Sequence, residues 1–580
     1  GAVTGADYVG GVIGCIYGSV SAGYVNIYCT LTLNSFENSG TVTGTNYVGG
    51  IAGELYIDAT SRYTAEFKLT ANSFNNSGDI SGESYVGGLF GYARTDDSES
   101  RMSDSSSTCS VSGQYYVGGL AGKIETIGLV DCSNEGSVIT ATGYVLDGEV
   151  RYVYVGGYAG YGYSFDGCHN AADIIYESNG GRVGGIAGYA NGALTNCTNT
   201  GTINAPASDE VGGIAGRTGY GGDATLSSLE NSGAVTGANN VGGVIGYIYG
   251  NVSGGYVDIY RSLTLSSFEN SGAVTGTNYV GGIAGQLYLD ATSRYTAEFK
   301  LTANSFNSSG DISGESYVGG LFGYARTDDS ESRMSDSSST CSVSGQYYVG
   351  GLAGKIETIG LVDCSNEGSV ITATGYVLDG EVRYVYVGGY AGYGYSFDGC
   401  HNAADIIYES NGGRVGGIAG YANGALTNCT NTGTINAPAS DEVGGIAGRT
   451  GYGGDATLSS LENSGAVTGA NNVGGVIGYI YGNVSGGYVD IYRSLTLSSF
   501  ENSGAVTGTN YVGGIAGQLY LDATSRYTAE FKLVANSFNN SGDITGESYV
   551  GGLLGYGRTD TSSSYIIDYS STGSVVYTGT

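Results

Sequence analysis

Few side chains in this chain have the types and spacing that support chemistry. The densest carboxylate group is Asp96, Asp97, Glu99 and Asp104, copied as Asp328, Asp329, Glu331 and Asp336. A glycosidase needs two carboxylates facing each other across a cleft at a defined separation. A serine-rich segment does not define such a cleft, so a solvated loop is the default reading. A weak Ca²⁺ site of flexible oxygen ligands comes next, and catalysis last. The two histidines, His169 and His401, each follow a cysteine directly. Adjacent strand residues point to opposite faces, which does not suit a Cys–His nucleophile pair. No Cys/His spacing typical of a metal centre occurs. No glycine-rich stretch leads into Gly-Lys-Ser/Thr, so none reads as a phosphate loop. These residues point away from an enzyme and assign no cofactor.

Composition narrows the classes further. The 580 residues include 108 Gly, 52 Tyr, 2 Pro and no Trp, and 41% are apolar. With 53 acidic against 21 basic residues the net charge is −32. Nucleic acid and anionic membranes are therefore unsuitable partners, because phosphate neutralisation requires clustered Lys and Arg. No apolar run approaches the ~20 residues of a membrane span.

What must position any functional residue is a repeat. Val-Gly-Gly followed by an apolar residue recurs seventeen times, with Val at 9, 48, 86, 117, 155, 183, 211, 241 and onward to 550, at spacings of 28 to 39 residues. The spacing pattern restarts at Val241 and Val473, each 232 residues on. The chain is thus divided into blocks 1–232, 233–464 and a partial block 465–580, with residues 77–232 and 309–464 identical. A second signature precedes each Val-Gly-Gly: Phe36-x-Asn38-x-Gly40-x-Val42, Phe74-x-Asn76-x-Gly78-x-Ile80, Cys132-x-Asn134-x-Gly136-x-Val138 and Cys197-x-Asn199-x-Gly201-x-Ile203. Cys109 stands in a shortened link that breaks the pattern.

The runs between Gly, Asn and Ser are short and β-branched, and none keeps a helical period. They predict an all-β parallel β-helix (β-solenoid) of about 17 coils, right-handed by the usual crossover rule. Three short strands and three corners fit the shortest coil, and longer coils carry insertions. Asn and Gly at fixed offsets are expected to take the left-handed conformations of the corners. Stacked coils would set each Asn over the next, so that amides bond along the axis. At one strand spacing per coil the coils would form a rod about 80 Å long.

The strings Tyr-Val-Gly-Gly-Ile-Ala-Gly at 47–53 and Tyr-Val-Gly-Gly-Leu-Phe-Gly at 85–91 resemble the GLUG motif. So do Val-Gly-Gly-Leu-Ala-Gly at 117–122 and Val-Gly-Gly-Ile-Ala-Gly at 183–188 and 211–216. The resemblance covers essentially the whole chain. It implies a β-solenoid of a bacterial cell-surface or adhesin-type protein, extracellular and non-catalytic, and it supplies no catalytic residue. The tyrosine-rich insertions depart from a minimal repeat. The expected role is a structural or adhesive rod or fibre subunit. The alternative is a carbohydrate-binding or carbohydrate-active β-helix protein. Expected partners are the chain itself, head to tail or laterally, together with glycans or host and cell surfaces. Head-to-tail assembly is suggested by first and last segments in the same phase of the coil.

Other residues carry subsidiary readings. Cys15 and Cys29 are replaced together by Tyr247 and Arg261, then by Tyr479 and Arg493, which suggests a disulfide between them, with two unrelated thiols as the alternative. Cys109, Cys132, Cys168 and Cys197 and their copies are read as ladder residues on four consecutive coils, buried as small hydrophobes. Tyr8, Tyr47, Tyr85, Tyr116 and Tyr154 precede the Val of five consecutive coils. They are expected to stack as an outward aromatic stripe, serving either rigid packing or contact with sugars or other rods. Sequons place candidate glycosylation sites at Asn75, Asn196, Asn251, Asn307, Asn428, Asn483 and Asn539. Asn75 should face outward if Phe74 faces in.

Overall fold

The computed structural model describes the chain apart from residues 137, 147–148, 369, 379–380, 453–454, 562 and 580. Among the described residues there is no helix. Contacts divide the chain into two compact units, Gly1–Phe299 and Lys300–Thr580. Each is a parallel β-solenoid.

The shortest coil shows how the sequence folds. In the first unit its strands are Arg182–Gly184, Ala187–Ala190, Leu194–Asn199 and Ile203–Asn204. Each pairs in parallel with its equivalent one coil on: Val183 with Val211, Ala187 with Ala215, Asn199 with Asn231 and Ile203 with Val235. The second unit repeats the arrangement, with Val415 opposite Val443, Ala419 opposite Ala447 and Asn431 opposite Asn463. The coil therefore has four walls, where three strands were expected. The additional strand is the Ile-Ala-Gly segment after Gly-Gly, which the glycines separate from the Val strand.

Val183, Ile186, Ala187, Leu194, Cys197 and Ile203 all point inward and are fully buried. The core is thus a set of columns of like residues. Each column removes its side chains from water by leaning on the coil above and the coil below. Stability in such an array comes from nearest neighbours.

The Gly-Gly pair is required by close approach. A Cβ on Gly185 would lie 2.0 Å from the Gly213 carbonyl oxygen and 2.5 Å from the Asn199 side chain. Gly213 and Gly243 meet Asn231 and Asn270 in the same way. The left-handed residues, however, are not those expected. Positive φ falls on the tyrosines before Val (Tyr8, Tyr47 and Tyr85, φ 54 to 56) and on the residue before the Phe/Cys/Leu slot (Ser73, Asn196, Ser228). The ladder asparagines keep extended backbones, because their side chains, and not their φ angles, make the corner.

In the first two coils of each block, 39 and 38 residues long, the extra chain lengthens two walls into a projecting fin, whereas the 38-residue coil after Val117 carries an antiparallel hairpin of Tyr144–Leu146 with Glu149–Arg151. Ile13–Ser21 pairs with Ala52–Thr60, and Ile27–Asn34 pairs with Ala65–Asn72, so two successive insertions stack into one two-layered fin. Ile245–Ser253 pairs likewise with Ala284–Thr292 in the first unit, and Ile477–Ser485 with Ala516–Thr524 in the second.

Two alanine substitutions separate close approach from glycine content. Gly185→Ala forces a methyl into backbone and is expected to destabilise the first unit by on the order of 3 kcal/mol. Gly221 has nothing within 4 Å of an added Cβ, so Gly221→Ala should stay within about 0.5 kcal/mol of the parent. Urea unfolding midpoints of the two variants provide the measurement.

Candidate functional site

The most extensive polar feature is buried. Asn134 donates through Nδ2 to Asn170 Oδ1 at 2.8 Å, Asn170 to Asn199 at 2.7 Å, Asn199 to Asn231 at 2.8 Å and Asn231 to Asn270 at 2.9 Å. In the second unit the chain of amides runs from Asn366 through Asn402, Asn431, Asn463 and Asn502 to Asn540, at 2.7 to 2.8 Å. The second N–H of Asn199 goes to the Gly201 carbonyl at 2.8 Å. Each amide thus bonds its own corner and the next coil. A buried amide left unbonded costs about 1–3 kcal/mol, so the column specifies register.

The ladder is interrupted where the sequence pattern broke. Ser107, not an asparagine, pairs with Asn76. Cys109 does not lie in the ladder slot with Cys132, Cys168 and Cys197, as expected. It stands two residues beyond the Asn position, where other coils have glycine, and its Sγ accepts from Asn76 Nδ2 at 3.0 Å. The shortened link lets a sulfur do the work of the missing amide. Cys132, Cys168 and Cys197 do share one column, buried and unbridged. Their thiols donate to carbonyls two residues earlier, at 3.2 to 3.5 Å. Burial pushes the Cys132 thiol up to about 12, far from a reactive thiolate. Cys15 and Cys29 also stand as free thiols on different walls, Cys15 donating to Glu54 at 3.5 Å. The expected disulfide is not formed.

The carboxylates of the serine-rich segment do not converge. Asp96 accepts from the backbone N–H of Ala59 at 2.6 Å and of Phe67 at 3.3 Å. Asp97 accepts from Glu99 N at 2.7 Å, and Glu99 pairs with Lys68 at 3.0 Å. Asp104 is an exposed corner with φ 48. Among the described residues no group of three or more His, Cys, Asp and Glu is placed to hold a metal. His169 turns away from Cys168, and its Nδ1 lies 2.6 Å from Thr198 Oγ1. All seven sequon asparagines, Asn75 included, are exposed.

The tyrosine stripe is a continuous stack. Ring centroids of Tyr8, Tyr47, Tyr85, Tyr116 and Tyr154 follow one another at 5.0, 4.8, 4.9 and 4.8 Å, within 18° of parallel. The next two coils continue the column with ions. Arg182 lies 5.2 Å over Tyr154 and donates to Glu210 at 2.6 Å. Arg217 donates to the other Glu210 oxygen at 3.1 Å and covers Tyr247 at 4.8 Å. In the second unit Tyr348, Tyr386, Arg414, Glu442 and Arg449 do the same. Sequence reasoning ended the stripe at Tyr154, although Arg and Glu in the same slot before Val183 and Val211 continued it. Inside the column, from Tyr47 to Tyr154, each ring face is covered by its neighbours, and Lys123 lies 5.5 Å from Tyr116 and 5.1 Å from Tyr161, whereas Tyr8 at the end of the column is 45% exposed. From Tyr47 to Tyr154 the rings present edges to solvent, so this stretch is a packing device and not a row of open stacking faces.

Open aromatic surface lies at the fin tips, which sequence reasoning largely missed. Tyr24, Tyr28 and Tyr63 are 64%, 66% and 62% exposed, with Val25 beside them. Tyr256, Val257, Tyr260 and Tyr295 form the second such group, and Tyr488, Val489, Tyr492 and Tyr527 the third. The sequence marked the extra lengths of the longer coils as tyrosine-rich without separating these residues from the other tyrosines there. The usable signal was that all three groups occupy those lengths.

Fold and contacts together define a repeat parallel β-solenoid whose polar side chains mostly bond one coil to the next. The chain carries the GLUG motif: the model of that family matches residues 179–204 and 411–436, each a complete four-strand coil. No curated protein and no solved structure matches the chain.

Two measurements probe these columns. Asn199→Asp removes both N–H donations and buries a carboxylate. It is expected to cost on the order of 3 kcal/mol at pH 7, with the loss shrinking as pH falls toward about 4, because burial holds the folded carboxyl above its usual value and protonates it first. Urea midpoints at the two pH values check it. In the tyrosine column, burial and the neighbouring Tyr47 and Tyr115 push Tyr85 up to about 12, and burial with Tyr189 does the same to Tyr161. A raised phenol contributes stability that is fully present below about pH 10 and is lost as pH rises through 12. Titration at 295 nm should show tyrosines ionising late, together with a falling urea midpoint.

Proposed function

We propose that the chain is a non-enzymatic, extracellular scaffold of a cell surface, structural or adhesive, that presents repeated outward features on stacked coils. The observation that carries this reading is the use made of its polar groups. The ladder asparagines, the serine-rich segment's Asp96, Asp97 and Glu99, the column thiols and the histidine Nδ1 bond to neighbouring backbone or to another coil, and these described groups do not converge on a cleft. Near-identical blocks multiply a surface, whereas a single active site gains nothing from duplication. The acidic charge favours solubility and keeps copies apart. The likeness to GLUG repeats supports placement at a cell surface.

Protease shaving of intact source cells tests the placement. Peptides of this chain are expected in the supernatant before lysis, and release only after lysis contradicts it. The same preparation, incubated with acidic and neutral polysaccharides, should liberate no reducing ends or unsaturated products. Turnover by the chain would overturn the non-enzymatic reading.

A further inference from the structure

The fin tips have a construction that the solenoid itself does not need. Arg62 lies 4.9 Å over the Tyr24 ring and donates to its hydroxyl. Tyr63 meets Tyr24 edge-on at 6.0 Å. Ser61 Oγ donates to the Val25 carbonyl, fixing the turn of one layer to that of the other. The second tip repeats this with Arg294 at 4.8 Å, Tyr295 at 6.0 Å and Ser293 bonded to Val257. The third does so with Arg526 at 4.7 Å, Tyr527 at 6.2 Å and Ser525 bonded to Val489. Each tip is a preformed aromatic patch held by a stacked guanidinium.

The first block has diverged from the other two around these patches without changing them. Cys15, Ser19, Asn26 and Cys29 of the first fin are Tyr247, Asn251, Asp258 and Arg261 in the second. The tyrosines and valine of the tip, with Arg62 and its equivalents, are the same in all three. Exposed aromatic rings add nothing to core packing, so their retention points to a ligand.

Size and charge identify its class. Taken together as an upper limit, three rings about two-thirds exposed, with one valine, offer on the order of 450 Å². A stable protein contact needs about 800 Å² from each partner, so a patch is too small for a folded protein or a second copy. It suits one or two sugar rings. A chain of net charge −32 repels polyanions. Tyrosine provides an apolar face with a hydroxyl rim, which matches the C–H face and hydroxyl edge of a pyranose. We propose that the fin tips are binding sites for neutral glycans, two on the first unit and one on the second. Seven coils separate the two patches of the first unit, or about 34 Å of axis. A polysaccharide long enough to reach both gains avidity. This deepens the adhesive form of the scaffold reading and rests on it.

The test uses the full chain in three forms. One is the parent. In one, Tyr28, Tyr63, Tyr260, Tyr295, Tyr492 and Tyr527 are changed to Ser. In the third the same six are changed to Phe. Immobilised cellohexaose, chitohexaose, maltohexaose and mannohexaose serve as neutral probes, with hyaluronan and polygalacturonate oligomers as acidic ones. Urea midpoints should agree across the three, because these rings are outside the core. The parent is expected to bind at least one neutral hexasaccharide. The Ser form should lose about tenfold or more in affinity, and the Phe form less than about threefold. No neutral binding, preference for the acidic probes, unchanged binding by the Ser form, or a Ser form that differs only in self-association by sedimentation would each overturn the assignment. Attachment of cells displaying the chain to neutral-glycan and protein-coated surfaces separates the two readings. A chain that binds hexasaccharides without fastening cells keeps the patches and removes the adhesive role. One that fastens cells without binding any neutral hexasaccharide does the reverse.

Discussion

The contact between the second glycine of each Val-Gly-Gly and the asparagine column is the constraint on which the rest depends. The amide of Asn199 is pressed against Gly185, and that of Asn231 against Gly213, so closely that a single Cβ would enter backbone. Only glycine lets two walls come together there. Only a residue with two donors and an acceptor can then satisfy both its own corner and the next coil. Where Asn gives way to Ser107, the sulfur of Cys109 takes up the orphaned donor of Asn76. The two signatures of the repeat are therefore one device seen from two walls.

Once coils are locked in register, everything outside the core is arranged by the same spacing. Tyrosines at the strand interval stack face to face, and Arg182 and Glu210 extend the stack with charge. Carboxylates such as Asp96 and Asp173 spend their lone pairs on backbone N–H groups of a neighbouring coil, Asp173 on Thr202 at 2.8 Å. A fold that uses its polar side chains in this way has little left for a cleft. What projects beyond the coils is the paired insertions.

Much of this was legible in the residues. Val-Gly-Gly and Phe-x-Asn-x-Gly gave the coils, their register and the amide ladder, because each column demands one residue type. The corners were less legible. A left-handed tyrosine at 8, 47 and 85 runs against intrinsic preference and is held by the stack around it, which no local pattern reveals. The fourth wall was hidden because Ile-Ala-Gly is too short to show alternation. Cys109 looked like its neighbours because slot and spacing shifted together by two residues. The tip patches went largely unread because exposure depends on how two distant insertions stack, as Tyr24 and Tyr63 do across 39 residues of chain.

Hydrogen exchange of asparagine side-chain amides, followed by NMR on selectively labelled protein, tests the central claim most directly. The carboxamides of Asn170, Asn199 and Asn231 should exchange as slowly as the strand amides around them, while that of exposed Asn75 exchanges freely. Equal, rapid exchange at all four would contradict a buried amide column and, with it, the stacked register.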